Sequence, residues 1–459
     1  MNLNWFPSIC LILFWAFSVF NPLFWDTIQF ASYHPTYYFE NNFNQWFLPP
    51  HLDSGHPPYF GLYIALCWKL LGRELWVTHL AMLPAVLAIA YFLQKLSQNI
   101  SGGCLFSWMF VCFAGIIGQI MLVSPDVLLV LFWLLGVYGI INRQKTIIIF
   151  SVILLGMISM RGMVAAVGLF LWQGWIYRSE KNNVLKTIYL YIPGGLLAMA
   201  YFVVHYFRTK WIGYHTNSTW ADSFLYVDFH GFLKNIIVLG WRLNDFGVFI
   251  IWLSIIYILF KQKIPIKSWL FELGNWGVLL IINLILFAAI MLPYTGLMGH
   301  RYLLPVYISL FWVWAHIAQK YPYRKFVIIG ILGIVLGNIC FYPQPIATGW
   351  DSTPLHIFYF PIRQQCINYL KNNNIPLETV GSAFPNLDPL FITDLSAHDS
   401  SAFAEKNLNS QNRIFYSNIF NNFTDSELQE LHSEWVIEKD WSSWPITGIL
   451  YKKPKPSDL

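Results

Sequence analysis

Charge is scarce in this sequence. Of 459 residues only 11% are Asp, Glu, Lys or Arg, where ordinary soluble domains carry about 25%. So few charges cannot cover the surface of a water-soluble globule. The same shortage excludes a disordered chain or a nucleic-acid binder, since both need charge and little apolar mass. Cysteine is also sparse: six residues (Cys10, Cys67, Cys104, Cys112, Cys340 and Cys366) lie scattered, mostly in apolar runs. No metal-ligand spacing or disulfide framework emerges from them. Apolar and aromatic residues fill the space, at 56% and 19% of the chain. Aromatic density of that order suits many membrane–water interfaces, where amphipathic rings collect. The composition therefore implies a polytopic α-helical membrane protein.

The net charge of +5 divides along the chain. Residues 1–343 hold 20 basic and 10 acidic side chains, a balance of +10, whereas residues 344–459 hold 8 and 13, a balance of −5. This shift predicts a transmembrane domain over 1–343 and a small soluble α/β domain over 344–459. Windows of roughly 20 apolar residues mark spans near 5–25, 76–94, 103–123, 127–142, 146–160, 162–177, 187–207, 246–260, 274–294, 302–318 and 326–343. The continuous 146–177 stretch is divided at Arg161-Gly162. The shorter run 57–71 contains Lys69 and is read as a helix at the outer interface, within a first outer loop of residues 26–75. With about eleven spans arranged in this way, Lys95, Arg143/Lys145, Arg178/Lys181/Lys186, Lys261/Lys263/Lys267 and Lys320/Arg324/Lys325 all fall on one side. By the positive-inside rule that side is cytoplasmic. The N-terminus is then on the inner side of the cytoplasmic (inner) membrane and the C-terminal domain on the outer side.

This topology gathers the polar groups that sit oddly in apolar surroundings onto the outer face. They occur in Trp25-Asp26-Thr27, Asp53-Ser54-Gly55-His56-Pro57-Pro58, Ser124-Pro125-Asp126, Met160-Arg161-Gly162 and His300-Arg301-Tyr302-Leu303-Leu304-Pro305. Their order and spacing over residues 1–343 resemble the GT-C class of membrane glycosyltransferases. Within it they resemble the protein O-mannosyltransferases and the lipid A aminoarabinose transferases. Thr27 replaces the Glu of the usual Asp-Glu pair, His56 replaces the Lys before Pro-Pro, and Arg161 replaces the Lys of a later Lys-Gly. These departures leave the sugar unspecified.

The resemblance implies an inverting transfer of a hexose or pentose from a polyprenyl-phosphate donor to a lipid, glycan or protein acceptor. It makes Asp26 the base that takes the acceptor's proton. Arg301, Arg161 and His56 become candidates for the leaving phosphate, whose charge grows as the glycosidic bond breaks. Asp126 is then available to orient His56 or an arginine, and Asp53, His300 and Tyr302 are additional candidates in the same motifs. Each residue also has a structural alternative. Asp26 can end a span, His56 can shape a turn, Arg161 can snorkel, Arg301 can anchor a helix end and Asp126 can cap one. Asp26, His51, Asp53 and His56 share a loop, but no spacing specifies a metal. No cofactor is assigned, and a divalent metal stays open. A transporter or flippase of a lipid-linked or small solute is the alternative function. It predicts charges near the midplane and matched broken helices in two repeats, and no repeat is evident.

In the tail, 362–372 reads as a helix, 379–383 and 413–419 as strands, and 425–432 as a helix capped by Thr424. Segments 435–438 and 447–452 read as pairing strands.

Overall fold

The computed structural model describes residues 5–99, 103–179, 183–218, 221–296, 298–339, 341–342, 346, 348–396 and 399–454. Lys181, Cys340 and the expected boundary at 343/344 lie outside these residues. The chain is predominantly helical up to Gly337. Among the described residues, four helices are long and apolar enough to cross a membrane: Leu75–Gln98, Thr187–Thr209, Gly274–Met291 and His300–Lys320. Two bent pairs bring the number to as many as six. Ala114–Ile120 meets Pro125–Ile141 at 115°, and Val248–Lys261 meets Ile266–Glu272 at 117°. Phe6–Ser18, Tyr59–Leu71 and Lys145–Ile158 are apolar but shorter. The expected eleven spans therefore do not all appear as unbroken helices, because several apolar runs are interrupted before reaching the ~20 residues a bilayer needs. The 103–123 run, for example, breaks at Phe113, whose backbone is extended (φ −83°, ψ 124°).

Large apolar side chains face outward along several helices. Phe207 is 67% exposed and Ile237 72%, and Phe260 and Ile285 are also exposed. An apolar surface of this extent is tolerated in lipid and not in water, and the chain is a multi-pass membrane protein.

Two local features differ from the sequence reading. The split near Arg161-Gly162 falls at Ser159, which is extended (φ −171°, ψ 164°) and whose hydroxyl accepts the Gly162 N–H at 3.1 Å. That cap starts the Met160–Ile176 helix, so Arg161 stands in a first helical turn and not in a loop. The stretch between the expected spans 187–207 and 246–260 also contains a helix, Phe229–Arg242, capped by the Asp228 carboxylate on Gly231 N–H at 2.7 Å.

The C-terminal part builds one sheet from β1 (Val380–Ser382), β2 (Ala404–Glu405), β3 (Arg413–Ser417), β4 (Val436–Asp440) and β5 (Gly448–Lys452) in the order β2-β1-β3-β5-β4. β1 is parallel to β2 and β3, whereas β5 pairs antiparallel with β3 and β4. Helices Tyr359–Asn372 and Asp425–Glu434 accompany the sheet, the second opened by a Thr424/Glu427 capping box. Its apolar core admits two residues from far upstream, Phe24 and Leu122. Phe24 stacks on His356 with ring centroids 5.4 Å apart and packs against Tyr359 and Phe360.

Candidate active site

Burying Phe24 in the C-terminal core fixes the course of the chain through Trp25, Asp26 and Thr27. Thr27 Oγ1 accepts the Phe24 N–H at 3.0 Å and donates to the Phe24 carbonyl at 2.6 Å, closing a tight turn. Trp25 is forced into the left-handed region at φ 57°, a strained conformation for an aromatic residue. Asp26 emerges from this turn 6% exposed. Thr27 thus serves the turn that presents Asp26.

Three helix starts bring the other charges. Asp126 lies in the first turn of Pro125–Ile141, where the Ser124 hydroxyl caps its N–H at 3.2 Å. Arg161 lies in the first turn of Met160–Ile176. Arg301 sits in the 3-10 turn His300–Leu303 that leads into Leu304–Lys320. Helix N-termini carry partial positive charge and unpaired N–H groups, so this end of the bundle favours anions.

The Arg301 guanidinium is the hub. Its Nη2 pairs with Asp26, its Nε lies 2.9 Å from Asp351 Oδ2, and its Nη1 lies 3.9 Å from Asp126 Oδ2. Arg161 Nη1 holds the other oxygen of Asp126 at 2.8 Å. Tyr302 lies between the two arginines. Its hydroxyl accepts from Arg301 Nη2 at 2.9 Å, and its ring centroid is 4.2 Å from the Arg161 guanidinium and 4.8 Å from that of Arg301. Three aspartates, two arginines and a tyrosine therefore form one buried network.

Asp351 was not among the sequence candidates. It lies in the 3-10 turn Trp350–Ser352 of the C-terminal part. A signal was available: Trp350-Asp351-Ser352 repeats the Trp-Asp-hydroxyl pattern of Trp25-Asp26-Thr27, just after the last apolar run. Burial pushes the Asp351 carboxyl above its ordinary range. Arg301 opposes that rise and Asp26 adds to it.

The remaining candidates stand apart from this network. His56 accepts the Met160 N–H on Nδ1 at 3.4 Å. Burial, and next to it the Arg161 charge, pushes its pKa down to about 3. His56 is therefore a neutral imidazole at pH 7 and brings no positive charge. Asp53 pairs with His205 Nε2 at 2.9 Å, accepts the Gly55 N–H at 2.8 Å and, through its carbonyl, the Ser218 hydroxyl at 2.9 Å. It fastens the first loop to the Asn183–Thr209 helix. His300 points its Nε2 to Asp245 Oδ2 at 2.7 Å, and Asp245 also holds Arg242 at 3.2 Å and Tyr342.

Phe30, His34, His56, Ser159 and Arg161 border a cavity of about 10 Å³. That is room for about one water and far less than a sugar, so entry of a ligand here requires these walls to separate. Among the described residues, no group of three His, Cys, Asp or Glu is arranged to hold a metal ion.

No family model matches the chain, and no curated protein matches it. Among solved structures it is similar to ArnT from Cupriavidus metallidurans, a lipid A aminoarabinose transferase of GT-C fold crystallised with undecaprenyl phosphate bound. The two share the fold. The TM-score is 0.50 over 98% of each chain, at 11% sequence identity, so the likeness is one of architecture. It extends through both the helical part and the C-terminal sheet of this chain.

Proposed function

We propose that this protein is an inverting glycosyltransferase of the cytoplasmic membrane. It takes a hexose or pentose from a polyprenyl-phosphate donor and passes it to a lipid, glycan or protein acceptor on the outer face. The N-terminus lies in the cytoplasm and the C-terminal part outside. The observation that carries this reading is the Arg301 hub, where Asp26, Asp126 and Arg161 meet at the starts of three apolar helices.

The acceptor hydroxyl approaches the anomeric carbon from the face opposite the phosphate. Asp26 takes its proton as the new C–O bond forms, and the bond to the phosphate oxygen breaks with inversion. Arg301 and Arg161 receive the phosphate charge as it grows, loosening their contacts with the aspartates. Asp126 bridges both arginines and orients them. Neutral His56 acts as a hydrogen-bonding wall of the cavity. The sharing of a fold with a protein that binds undecaprenyl phosphate supports the choice of donor class.

The test is Asp26→Asn in proteoliposomes, assayed with a panel of radiolabelled polyprenyl-phosphate sugars and membrane acceptors. Transfer is expected to fall by about 10²–10⁴-fold, the usual contribution of a positioned base, with normal expression. Wild-type turnover in Asp26→Asn would refute the assignment.

A further inference from the structure

The ion pair between Arg301 and Asp351 joins a membrane helix to the C-terminal part, and the turn that carries Asp351 is held from both sides. On the membrane side, Gln119 Nε2 donates to the Asp351 carbonyl at 2.6 Å. A Cβ on Gly118 would lie 2.8 Å from Thr353 N and 2.9 Å from Ser352 C, so the two backbones touch. On the other side, the buried Trp350 indole donates to the Asn418 carbonyl at 2.9 Å. Gly349 turns the chain into this seat at φ +72°. The Ser352 hydroxyl adds a contact to Asp351 Oδ1 at 3.3 Å. A side chain seated this firmly is suited to orient its partner.

The three nitrogens of Arg301 are unequally engaged. Nη2 is held by Asp26 and Tyr302, Nε faces Asp351 at 2.9 Å as an ion-pair contact without hydrogen-bond alignment, and Nη1 has its Asp126 contact at 3.9 Å, beyond hydrogen-bonding reach. We propose that Asp351 is a positioning residue for Arg301, its carboxylate drawing the Nε edge of the guanidinium toward the C-terminal part so that Nη1 is left to meet the donor's phosphate away from Asp26. The C-terminal part thereby supplies a component of the donor site. A guanidinium is planar and rigid, so a fixed charge beside one edge biases the direction of the opposite edge.

This inference rests on the proposed role of Arg301 in binding a lipid phosphate. The experiment measures binding of undecaprenyl phosphate to the full chain in nanodiscs, followed by tryptophan fluorescence, for wild type, Asp351→Asn and Asp351→Leu. Asp351→Asn keeps the shape of the seat but removes the charge that faces Nε, and is expected to weaken binding on the order of 10-fold or more. Asp351→Leu removes the charge and the polar group and is expected to lose at least as much. A purely structural seat predicts wild-type affinity for Asp351→Asn, and that result overturns the inference while wild-type binding upholds the functional reading. If Asp351→Leu fails to fold, Asp351→Glu decides. It keeps the charge but displaces the guanidinium by a methylene, so undiminished affinity there counts against positioning. A wild-type chain that does not bind the lipid phosphate removes the functional reading and this inference together.

Discussion

Replacing Arg301 with methionine removes the positive hub while leaving its aspartates in place. Arg301, Asp26, Asp126 and Asp351 are all at most 6% exposed, so water screens them little. In wild type three carboxylates face two guanidiniums; in Arg301→Met they face Arg161 alone. Two charges about 4 Å apart interact by roughly 4 kcal/mol at an effective dielectric of 20. Removing one partner of a buried pair typically costs about 3–5 kcal/mol. Arg301→Met is therefore expected to lose about 3–5 kcal/mol of unfolding free energy, read by tryptophan fluorescence during denaturant titration in mixed micelles. Adding Asp351→Asn removes one of the stranded charges, so the double variant should recover part of the loss, with a coupling of roughly 1–3 kcal/mol. Wild-type stability of Arg301→Met would refute the hub. Additive effects of the two changes would do so equally, since the cluster then does not act as one electrostatic unit.

Two further outcomes can be measured in the same format. His34, His56 and His356 are held neutral by burial, with pKa values pushed down to about 4, 3 and 4. The unfolded chain binds protons at these positions below about pH 6.5, so their stabilisation is complete above that pH and is lost as pH falls. Lowering the pH from 7 to 5 should destabilise the protein by about 2 kcal/mol per histidine, and a flat profile between these values counts against neutral burial. Gly55 has φ +74°, and a Cβ there would lie 1.9 Å from the Gly213 carbonyl oxygen. Gly55→Ala should cost at least about 1–2 kcal/mol from the left-handed backbone alone, and unchanged unfolding would contradict the close approach.

Much of the site was legible because charged residues at the ends of apolar runs stand out. Asp26, Asp126, Arg161 and Arg301 were each singled out this way, and the structure draws them into one network. Asp351 escaped because an acid in a polar stretch looks solvated, and its partner Arg301 lies far upstream, in the turn that opens a membrane helix. A histidine titrates near neutrality, so its type alone leaves the charge of His56 open, and burial beside Arg161 decides it. Helix breaks were missed where one residue's backbone turns, as at Ser159 and Phe113, inside runs whose hydropathy is continuous. In the tail, alternating strands and the Thr424 cap were readable from local pattern. The two-residue strand Ala404–Glu405 exists only through its pairing with β1 and had no pattern of its own.

The lodging of Phe24 among His356, Tyr359 and Phe360 also bears on when the charged cluster around Asp26 takes shape. More than 300 residues separate Phe24 from these partners in the chain. At roughly 5–20 residues per second of synthesis, the ribosome needs at least about fifteen seconds to cover that distance. Throughout that interval the first helix is already made, but the aromatic anchor that sets Trp25 and Asp26 has nothing to grip. The turn that presents Asp26 is therefore completed only after the last segment has been made and folded.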